Sequence, residues 1–314
     1  MLLFSYVFNE QVRSARLVEG FGIDLCLAGQ LFLKSQKPTS DNLFNIPTTM
    51  VDLLILGQDS LLAVKIVTDW IIKSLPGDEK QLRESGIVFD LKDVTYVAPV
   101  LKPGKVICVA GNYPAQNKLD KPDFPTIFLK PSSGVIGTQQ LIILPSVAKN
   151  VFYEVELAVI IGKKGKNHEE DSAACMIAGY TIANDLGDRV LEKRTSQWTS
   201  GKMFDTFTPM GPIMITSDEL IDTCNLNMFT KVNGQYVQKG NTNQMFFDVQ
   251  HLVNYISALT TLEPGDVILT GSPKMMDGEP NPSLPLQPGD VVEVSIEGLS
   301  SLINSVVSDD TVNK

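Results

Sequence analysis

The sequence predicts an α+β protein in which strands predominate, with a smaller α/β segment first and a larger, mostly β segment after it. Short apolar, β-branched runs bounded by turn residues recur from position 106 onward, which is typical of strands. Apolar residues at helical spacing occupy only a few stretches, among them 60–74 and 249–260. The 314 residues suffice for one large domain and a smaller one.

The smaller segment is predicted to combine strands with helices. Strands are expected at 4–8 and 22–27, and helices at 51–56 and 60–74. The Pro-Gly-Asp run at 76–78 should end the second helix. A Lys-Pro-Gly-Lys turn at 102–105 separates this segment from the rest of the chain. We therefore expect two domains, 1–100 and 101–314.

The larger segment is predicted to be a series of strands with few helices. The strands are expected at 106–110, 126–129, 141–144, 154–161, 177–182, 213–216, 227–232, 267–270 and 291–296. The helices are expected at 172–176, 188–195 and 249–260. Two Leu-x-Pro-Gly-Asp turns, at 262–266 and 286–290, each lead into a strand.

Composition and charge argue against several function classes. A net charge of −10 is unfavourable for binding nucleic acid or an anionic membrane. No apolar run reaches the roughly 18 residues of a membrane span. The cysteines are scattered without a CxxC pair, which suits buried thiols in a reducing compartment: Cys26, Cys108, Cys175 and Cys224. We expect a cytoplasmic protein.

The chemistry is indicated most clearly by two glutamates, Glu154 and Glu156, in an apolar run from Tyr153 to Gly162. Side chains two apart on a strand point to the same face, so the two carboxylates should lie side by side. Two like charges on a buried strand need compensation, and a hard divalent cation provides it. The alternative from the residues alone is a half-exposed edge strand with both glutamates in water.

A third carboxylate favours the cation. The apolar strand that begins at Gly179 ends in Asn184 and Asp185, and a strand end is a common place to present a ligand. Asp185 would complete a Glu-x-Glu…Asp triad. Oxygen-only ligands suit Mg²⁺, Mn²⁺ or Ca²⁺.

These motifs and others, in this order along the chain, resemble the fumarylacetoacetate hydrolase family over about residues 100 to 307. The matching pieces are Tyr153–Ala158, Ala178–Thr181, Asn184-Asp185 with Arg189, Gly201–Phe207, Pro209–Pro212, Val232–Gly234, Asn241-Thr242, Leu262–Ile268, Thr270–Pro273, Gly289-Asp290 and Ile296–Gly298. No single piece is decisive, but their joint order is specific.

The resemblance implies a rolled, mixed β-sheet catalytic domain with a cap-like N-terminal domain, assembled as a homodimer. It also implies one divalent cation, Mg²⁺ in the first place, bound by Glu154, Glu156 and Asp185. The substrate would be a small oxo acid or 1,3-diketone that chelates the metal through two oxygens. The cation would stabilise the enolate that forms when a C–C bond breaks or a proton leaves.

The resemblance further assigns residues around the metal. Lys202 would be a cation beside the developing oxyanion, and Arg189 would bind a substrate carboxylate. Tyr113 and Thr270 would contact the substrate. Taken alone, Lys202 is typical of a surface lysine, Arg189 of a solvated ion pair, and Thr270 of a plain hairpin residue.

One loop departs from the family pattern. Family hydrolases carry a water-activating His and Glu after a Gly-x-Asn-Tyr-like motif, but here Gln116 and Leu119 stand at those positions. Gln116 occupies a catalytic position without being able to act as a base at neutral pH. A base from Asp120 or Asp123 is the alternative within the same loop.

The first hypothesis is therefore a metal-dependent hydrolase that cleaves a C–C bond in a small 1,3-diketo or 2-oxo acid. The altered loop favours a second hypothesis, an oxo-acid decarboxylase or a tautomerase or isomerase that uses the same metal site and needs mainly its electron sink. A third, of another class, is a catalytically silent relative that binds a metal or metabolite.

Overall fold

The computed structural model describes residues 1–38, 41–114, 120–167, 173–220, 222–274 and 284–312. Its strands are β1 (Leu2–Phe8), β2 (Gln11–Val18), β3 (Phe21–Asp24), β4 (Val88–Asp90), β5 (Thr95–Val97), β6 (Val106–Ala110), β7 (Thr126–Lys130), β8 (Val135–Ile136), β9 (Ile142–Leu144), β10 (Val151–Phe152), β11 (Val155–Ile161), β12 (Ile177–Asn184), β13 (Gly187–Asp188), β14 (Thr208–Pro209), β15 (Ile213–Thr216), β16 (Asn227–Val232), β17 (Gln235–Asn241), β18 (Val267–Leu269), β19 (Val291–Ile296) and β20 (Ser301–Ser308).

The α-helices are fewer, and several are a single turn long. They are α1 (Leu25–Gln36), α2 (Asp41–Phe44), α3 (Met50–Ile55), α4 (Gln58–Glu84), α5 (Arg189–Glu192), α6 (Thr199–Lys202), α7 (Val249–Leu259) and α8 (Asp309–Val312). This confirms the predicted α+β class with more strand than helix.

A large mixed sheet forms the centre of the molecule. Its eleven strands follow the order β4-β3-β2-β1-β15-β12-β11-β18-β6-β7, with β5 paired to β1. Most neighbours are antiparallel, whereas β18 and β6 are parallel. A second sheet of five strands has the order β17-β16-β19-β20-β9.

Strand β11 is buried on both faces, so its alternate side chains enter two different cores. Val155, Leu157 and Val159 join a core that includes helix α7 and the five-stranded sheet. Ala158 and Ile160 join a second core with helices α3 and α4. Because Glu156 alternates with Leu157, it shares a face with Ala158.

The amino-terminal segment is hydrogen-bonded to the larger one through the central sheet. Strand β1 pairs with β15 in antiparallel register, from Leu2↔Ile215 to Phe4↔Ile213. The boundary between domains 1–100 and 101–314 stays a prediction.

The strand predicted at 22–27 is wrong in its second half. Strand β3 ends at Asp24 and helix α1 begins at Leu25. Asp24 caps this helix by accepting a hydrogen bond from the Leu27 backbone N–H at 2.7 Å. Its carboxylate also accepts from Arg13 and Tyr6, which fixes the cap.

The predicted helix stop at 76–78 is also wrong, because α4 runs through Pro76 to Glu84. A proline removes one helical hydrogen bond, and tertiary packing can offset that loss. Leu82 is buried, and Arg83 pairs with Glu79 and with Asp90, the last residue of β4. The last turns of α4 are thereby held against β4.

The expected burial of the cysteines is only partly correct. Cys108 is buried on β6, whereas Cys175 and Cys224 are exposed in short connections. Within the described ranges, none of the helices combines the length and hydrophobicity that crossing a bilayer requires.

Candidate active site

The three predicted metal-ligating carboxylates lie together at one end of β11 and β12. These strands are antiparallel with Val155 opposite Asn184, which places Glu154 and Glu156 beside Asp185. One ligand oxygen from each residue lies within 4.8 Å of the others. The Asp185 N–H donates to the Glu154 carbonyl at 2.9 Å, which closes this end of the pair.

Two lysines surround the triad. Lys202 Nζ, at the end of α6, donates to Glu154 Oε2 and to Asp185 Oδ2, each at 2.8 Å. Lys130 Nζ, at the end of β7, donates to Asp185 Oδ1 and to the carbonyls of Leu186 and Phe207. Both side chains are buried. Asp185 is thus held by an ammonium group on each of its oxygens.

Lys130 was not singled out from the sequence. It follows the apolar run Ile127–Leu129 and precedes a proline, so it looks like the polar residue that ends a strand. The sequence offered one clue, a lysine at the end of a predicted strand. In the structure this strand, β7, pairs with β6, which carries Cys108. The partner of Lys130 lies 55 residues further along the chain, which no local pattern reveals.

The site has an excess of acid, and the pKa values reflect it. Burial raises the pKa of Glu156 well above its usual range, and Asp185 and Glu154 raise it further. Burial also raises the pKa of Asp185, but Lys130 and Lys202 outweigh burial, so its pKa is lowered. Burial lowers the pKa of Lys202, but Asp185 and Glu154 outweigh it and raise that pKa well above the usual range.

Among the triad carboxyls, Glu156 has a raised pKa, and neither lysine ammonium pairs with it. The two ammonium groups donate to Asp185 and Glu154 rather than to Glu156. Its Oε2 accepts a hydrogen bond from the Gly271 N–H at 2.7 Å, which orients the carboxyl toward the triad. A divalent cation is the natural compensation for a deprotonated Glu156, and the all-oxygen donor set fits a hard cation.

Arg189 is held rigidly at the start of α5. Its guanidinium lies 3.7 Å from the centroid of the Phe152 ring, a cation–π contact. The preceding Asp188 is buried and accepts hydrogen bonds from the backbone N–H groups of Lys149, Asn150, Val190 and Leu191. Burial raises the pKa of Asp188, but these N–H groups lower it by more. The helix is shorter than the one predicted over 188–195.

Glu192 is a second carboxyl that the sequence did not indicate. It lies one helical turn after Arg189 and is half-buried. A Cβ on Gly187 would stand 2.2 Å from Glu192 Oε1 and 2.8 Å from Lys202 Cδ, so both side chains close around this glycine. Burial raises the pKa of Glu192, Lys202 lowers it and Glu154 raises it, with a net increase. A glutamate in a short polar helix resembles a solvated one, so only the fold reveals it.

The predicted substrate residues lie on the other side of the site. Thr270 is buried, and its hydroxyl donates to the Leu157 carbonyl at 3.0 Å. Tyr113 is buried, and its hydroxyl contacts Met228 Sδ at 3.2 Å. Burial raises the pKa of Tyr113, and the charge of Glu156 adds to the increase. Both hydroxyls are therefore engaged by protein atoms, and contact with a substrate stays a prediction for both residues.

Asp120 and Asp123, the alternative bases of the altered loop, are exposed. Gln116 and Leu119 lie outside the described residues. His251, the one histidine in the described ranges, stacks on Phe247 with ring centroids 5.0 Å apart.

Comparison with known proteins identifies the family of this chain. A family profile described as fumarylacetoacetate (FAA) hydrolase C-terminal matches residues 105–307. The chain is 38% identical to the bovine mitochondrial oxaloacetate tautomerase FAHD2A over 89% of this chain and 84% of that protein.

Two solved structures show the same fold over nearly the whole chain. A fumarylacetoacetate hydrolase from Exiguobacterium antarcticum is 29% identical, with a TM-score of 0.77 over 98% of this chain and 99% of that one. A maleylpyruvate hydrolase from Sphingobium, solved with manganese(II) and pyruvate, is 25% identical, with a TM-score of 0.70 over 98% and 99%.

Proposed function

The chain belongs to the fumarylacetoacetate hydrolase family, as its motifs indicated, and from this premise we propose that it interconverts the keto and enol forms of a small 2-oxo diacid of the oxaloacetate class. The observation that carries the proposal is the contact of the Lys202 ammonium with Glu154 and Asp185 of the triad. The Lys202 ammonium would stabilise negative charge on a substrate oxygen without a histidine base. The name of the bovine relative supports the substrate class.

Tautomerisation needs two proton movements and no water. Conversion of the enol to the ketone removes the proton from the C2 oxygen and adds one to C3. Lys202 would stabilise the negative charge on the C2 oxygen between these movements. The C2 hydroxyl proton would leave to solvent, and Glu192, with a raised pKa, would deliver a proton to C3 and regain one from solvent.

The charged residues around Lys202 also orient the substrate. Arg189 has two parallel N–H donors that would suit a terminal carboxylate, and its guanidinium packs on the Phe152 ring. A divalent cation held by Glu154, Glu156 and Asp185 would supply a Lewis acid at the 2-oxo group. Mg²⁺ is the first choice, with Mn²⁺ and Ca²⁺ as alternatives.

The second candidate is hydrolysis of a C–C bond in an acylpyruvate, which the sequence indicated first. It is favoured by the likeness to a maleylpyruvate hydrolase. Hydrolysis needs an activated water in addition to charge stabilisation. Among the described residues, Glu192 is the carboxyl beside Lys202 that is not assigned to the metal, and it would have to serve as that base.

Product analysis separates these reactions. Metal-loaded protein is mixed with enol oxaloacetate and, separately, with an acylpyruvate, and the products are followed by NMR. We expect faster ketonisation of oxaloacetate with its carbon skeleton intact. Pyruvate with CO₂ would indicate a decarboxylase, and two acids from the acylpyruvate would indicate a hydrolase. Binding without any turnover would indicate the catalytically silent relative and would contradict the proposal.

We also propose that the protein is a homodimer. Its binding partner would be a small-molecule oxo acid, and we expect the protein to bind neither nucleic acid nor a membrane. The dimer rests on the family resemblance and predicts sedimentation above the 34.4 kDa of one chain. The cytoplasmic location stays a prediction beside the mitochondrial name of the bovine relative.

A further inference from the structure

A buried glutamine, Gln238, links the two sheets beside the active site. It lies on β17, opposite Thr230 of β16, and is 3% exposed. Its Oε1 accepts hydrogen bonds from the Val155 N–H at 3.1 Å and the Thr230 hydroxyl at 2.7 Å. Its Nε2 donates to Ser272 Oγ at 2.7 Å and to the Pro273 carbonyl. All four hydrogen-bonding positions of this carboxamide are satisfied.

The partners of Gln238 belong to the two sides of the site. Val155 is the residue between Glu154 and Glu156, so its N–H is part of the backbone that carries two metal-ligating carboxylates. Ser272 and Pro273 follow Gly271, whose N–H donates to Glu156 Oε2 at 2.7 Å. A closed ring of contacts therefore runs from Gln238 through Glu156 and Gly271 and back to Gln238.

The backbone around this ring leaves little freedom. A Cβ on Gly240 would stand 2.2 Å from Pro273 Cβ, so β17 presses directly on the turn. Gly271 has φ +96°, a backbone conformation that residues other than glycine rarely adopt. On the opposite side of the turn, Asn112 Nδ2 donates to the Thr270 carbonyl at 2.7 Å. The turn is thus fixed by one buried amide on each side.

We propose that Gln238 is a positioning residue that holds the Gly271 N–H on Glu156, and thereby sets the affinity of the triad for its cation. Groups that orient a metal ligand typically change metal affinity by about 10- to 100-fold. Gln238 fixes both the strand and the turn, so its loss should shift Gly271 away from Glu156. The effect on metal affinity is independent of the reaction, whereas any effect on substrate binding at the Thr270–Pro273 turn rests on the proposed function.

The test compares Mn²⁺ affinity in variants of the full-length, substrate-free protein by electron paramagnetic resonance. Gln238→Met keeps the volume of the side chain and removes every hydrogen bond, so we expect about tenfold weaker binding. The matched control is Thr230→Val, which removes one hydrogen bond from the same carboxamide but leaves the strand and the turn connected. We expect its Mn²⁺ affinity to stay within about twofold of the wild type.

A second variant, Gln238→Glu, keeps the acceptor for Val155 and removes both donors to the turn. Gln238→Glu should also weaken Mn²⁺ binding. If Gln238→Met does not fold, the Mn²⁺ affinity of Gln238→Glu tests the proposal by itself. In both Gln238 variants KM should rise more than kcat falls, because the turn moves while Lys202 stays in place.

Equal Mn²⁺ affinity in wild type and the folded Gln238 variants would overturn the inference, as would an equal loss in Thr230→Val. Failure of the wild-type protein to bind Mn²⁺ would instead contradict the metal site of the proposed function. A wild type that binds Mn²⁺ but does not turn over oxaloacetate would contradict the proposed reaction. The Mn²⁺ affinities of wild type and the Gln238 variants would still decide the role of Gln238.

Discussion

The two sides of the site are built differently. On the carboxylate side, Glu154, Glu156 and Asp185 stand at the ends of two long neighbouring strands, and their positions follow from strand register. On the turn side, the segment from Thr270 to Pro273 is placed by the side-chain amides of Asn112 and Gln238. The first side is fixed mainly by backbone hydrogen bonds, with Gln238 as an added acceptor for the Val155 N–H. The second side is fixed by buried side chains from distant parts of the chain.

This difference suggests a division of labour. A set of ligands fixed by two strands can keep its spacing through a catalytic cycle, which suits metal binding. A turn held by a few side chains can change with single substitutions, which suits substrate selection and, through the Gly271 N–H on Glu156, adjustment of the metal affinity. The predictions below would break or sharpen this division, from the largest expected effect to the smallest.

Loss of a carboxylate ligand should have the largest effect. Glu156→Gln is expected to weaken Mn²⁺ binding by more than about 100-fold, since a metal ligand contributes more than the groups that orient it. Isothermal titration measures this directly. Glu293→Gln, which breaks a surface pair with Lys231, is the matched control and should bind normally. A Glu156→Gln protein that binds one Mn²⁺ with unchanged affinity would remove Glu156 from the metal site.

Removing the Lys202 ammonium should affect turnover more than metal binding. For Lys202→Met we expect kcat to fall by about 10²- to 10³-fold, the usual loss of one oxyanion-stabilising donor. Mn²⁺ affinity should be equal or higher, because the ammonium no longer competes for Glu154 and Asp185. Lys231→Met is the control for loss of a partly buried lysine. If kcat is retained in Lys202→Met, charge stabilisation at the substrate oxygen has another source.

Lys130 should matter for stability. Its buried ammonium has Asp185 and two carbonyls as partners, so Lys130→Met leaves a buried carboxylate oxygen and the Leu186 carbonyl without this donor. The Phe207 carbonyl keeps the Leu186 N–H. Removing one partner of a buried ion pair typically costs about 3–5 kcal/mol, and we expect the lower end because Lys202 still pairs with Asp185. Urea unfolding of the metal-free protein measures this cost. A loss comparable to that of Lys231→Met would contradict the structural role.

Much of the carboxylate side could be predicted from the sequence. Strand β11 begins one residue after the predicted range 154–161, and β12 extends two residues beyond the predicted range 177–182. The i, i+2 spacing of Glu154 and Glu156 and the strand-end position of Asp185 correctly brought the three carboxylates together. Each of these inferences uses a local pattern and the alternation of a strand.

The turn side could not be predicted in the same way. Asn112 and its acceptor at Thr270 are 158 residues apart, and Gln238 and Val155 are 83 apart. Buried amides that pair across such separations leave no periodic signal in the sequence. Glu192 was missed for a related reason, since its burial depends on Gly187 and Lys202 being brought against it.

The raised pKa of Glu156 predicts two effects of pH. Protons compete with the cation for this carboxylate, so Mn²⁺ affinity should fall as pH drops through its pKa. Because its folded-state pKa lies above the usual 4.5, Glu156 stabilises the metal-free fold at low pH, and this contribution is lost as pH rises through the folded pKa.

The measurement is the Tm of metal-free wild type and Glu156→Gln from about pH 5 to 8. The wild type should lose stability relative to Glu156→Gln as the pH rises, and Mn²⁺ should restore it. Parallel Tm curves would contradict the assigned direction of the pKa shift.

The smallest expected effect concerns Phe152 under Arg189. Phe152→Leu removes the ring and keeps an apolar side chain, and a cation–π contact is worth about 0.5–2 kcal/mol. We expect KM for the diacid to rise by a few-fold with kcat nearly unchanged. Steady-state kinetics with a monocarboxylic 2-oxo acid is the control, because a substrate without the second carboxylate should not respond. A fall in kcat alone would argue against a binding role for Arg189.

The central claim is that one cation in the carboxylate triad activates the protein for tautomerisation. Metal-stripped protein is titrated with Mn²⁺ while the ultraviolet absorbance of enol oxaloacetate reports ketonisation above the rate with Mn²⁺ alone. The account predicts a rate that rises in proportion to added Mn²⁺ and levels off at one equivalent per chain, with no such rise in Glu156→Gln. Full activity in the stripped protein, or a rate that does not level off near one equivalent, would contradict it.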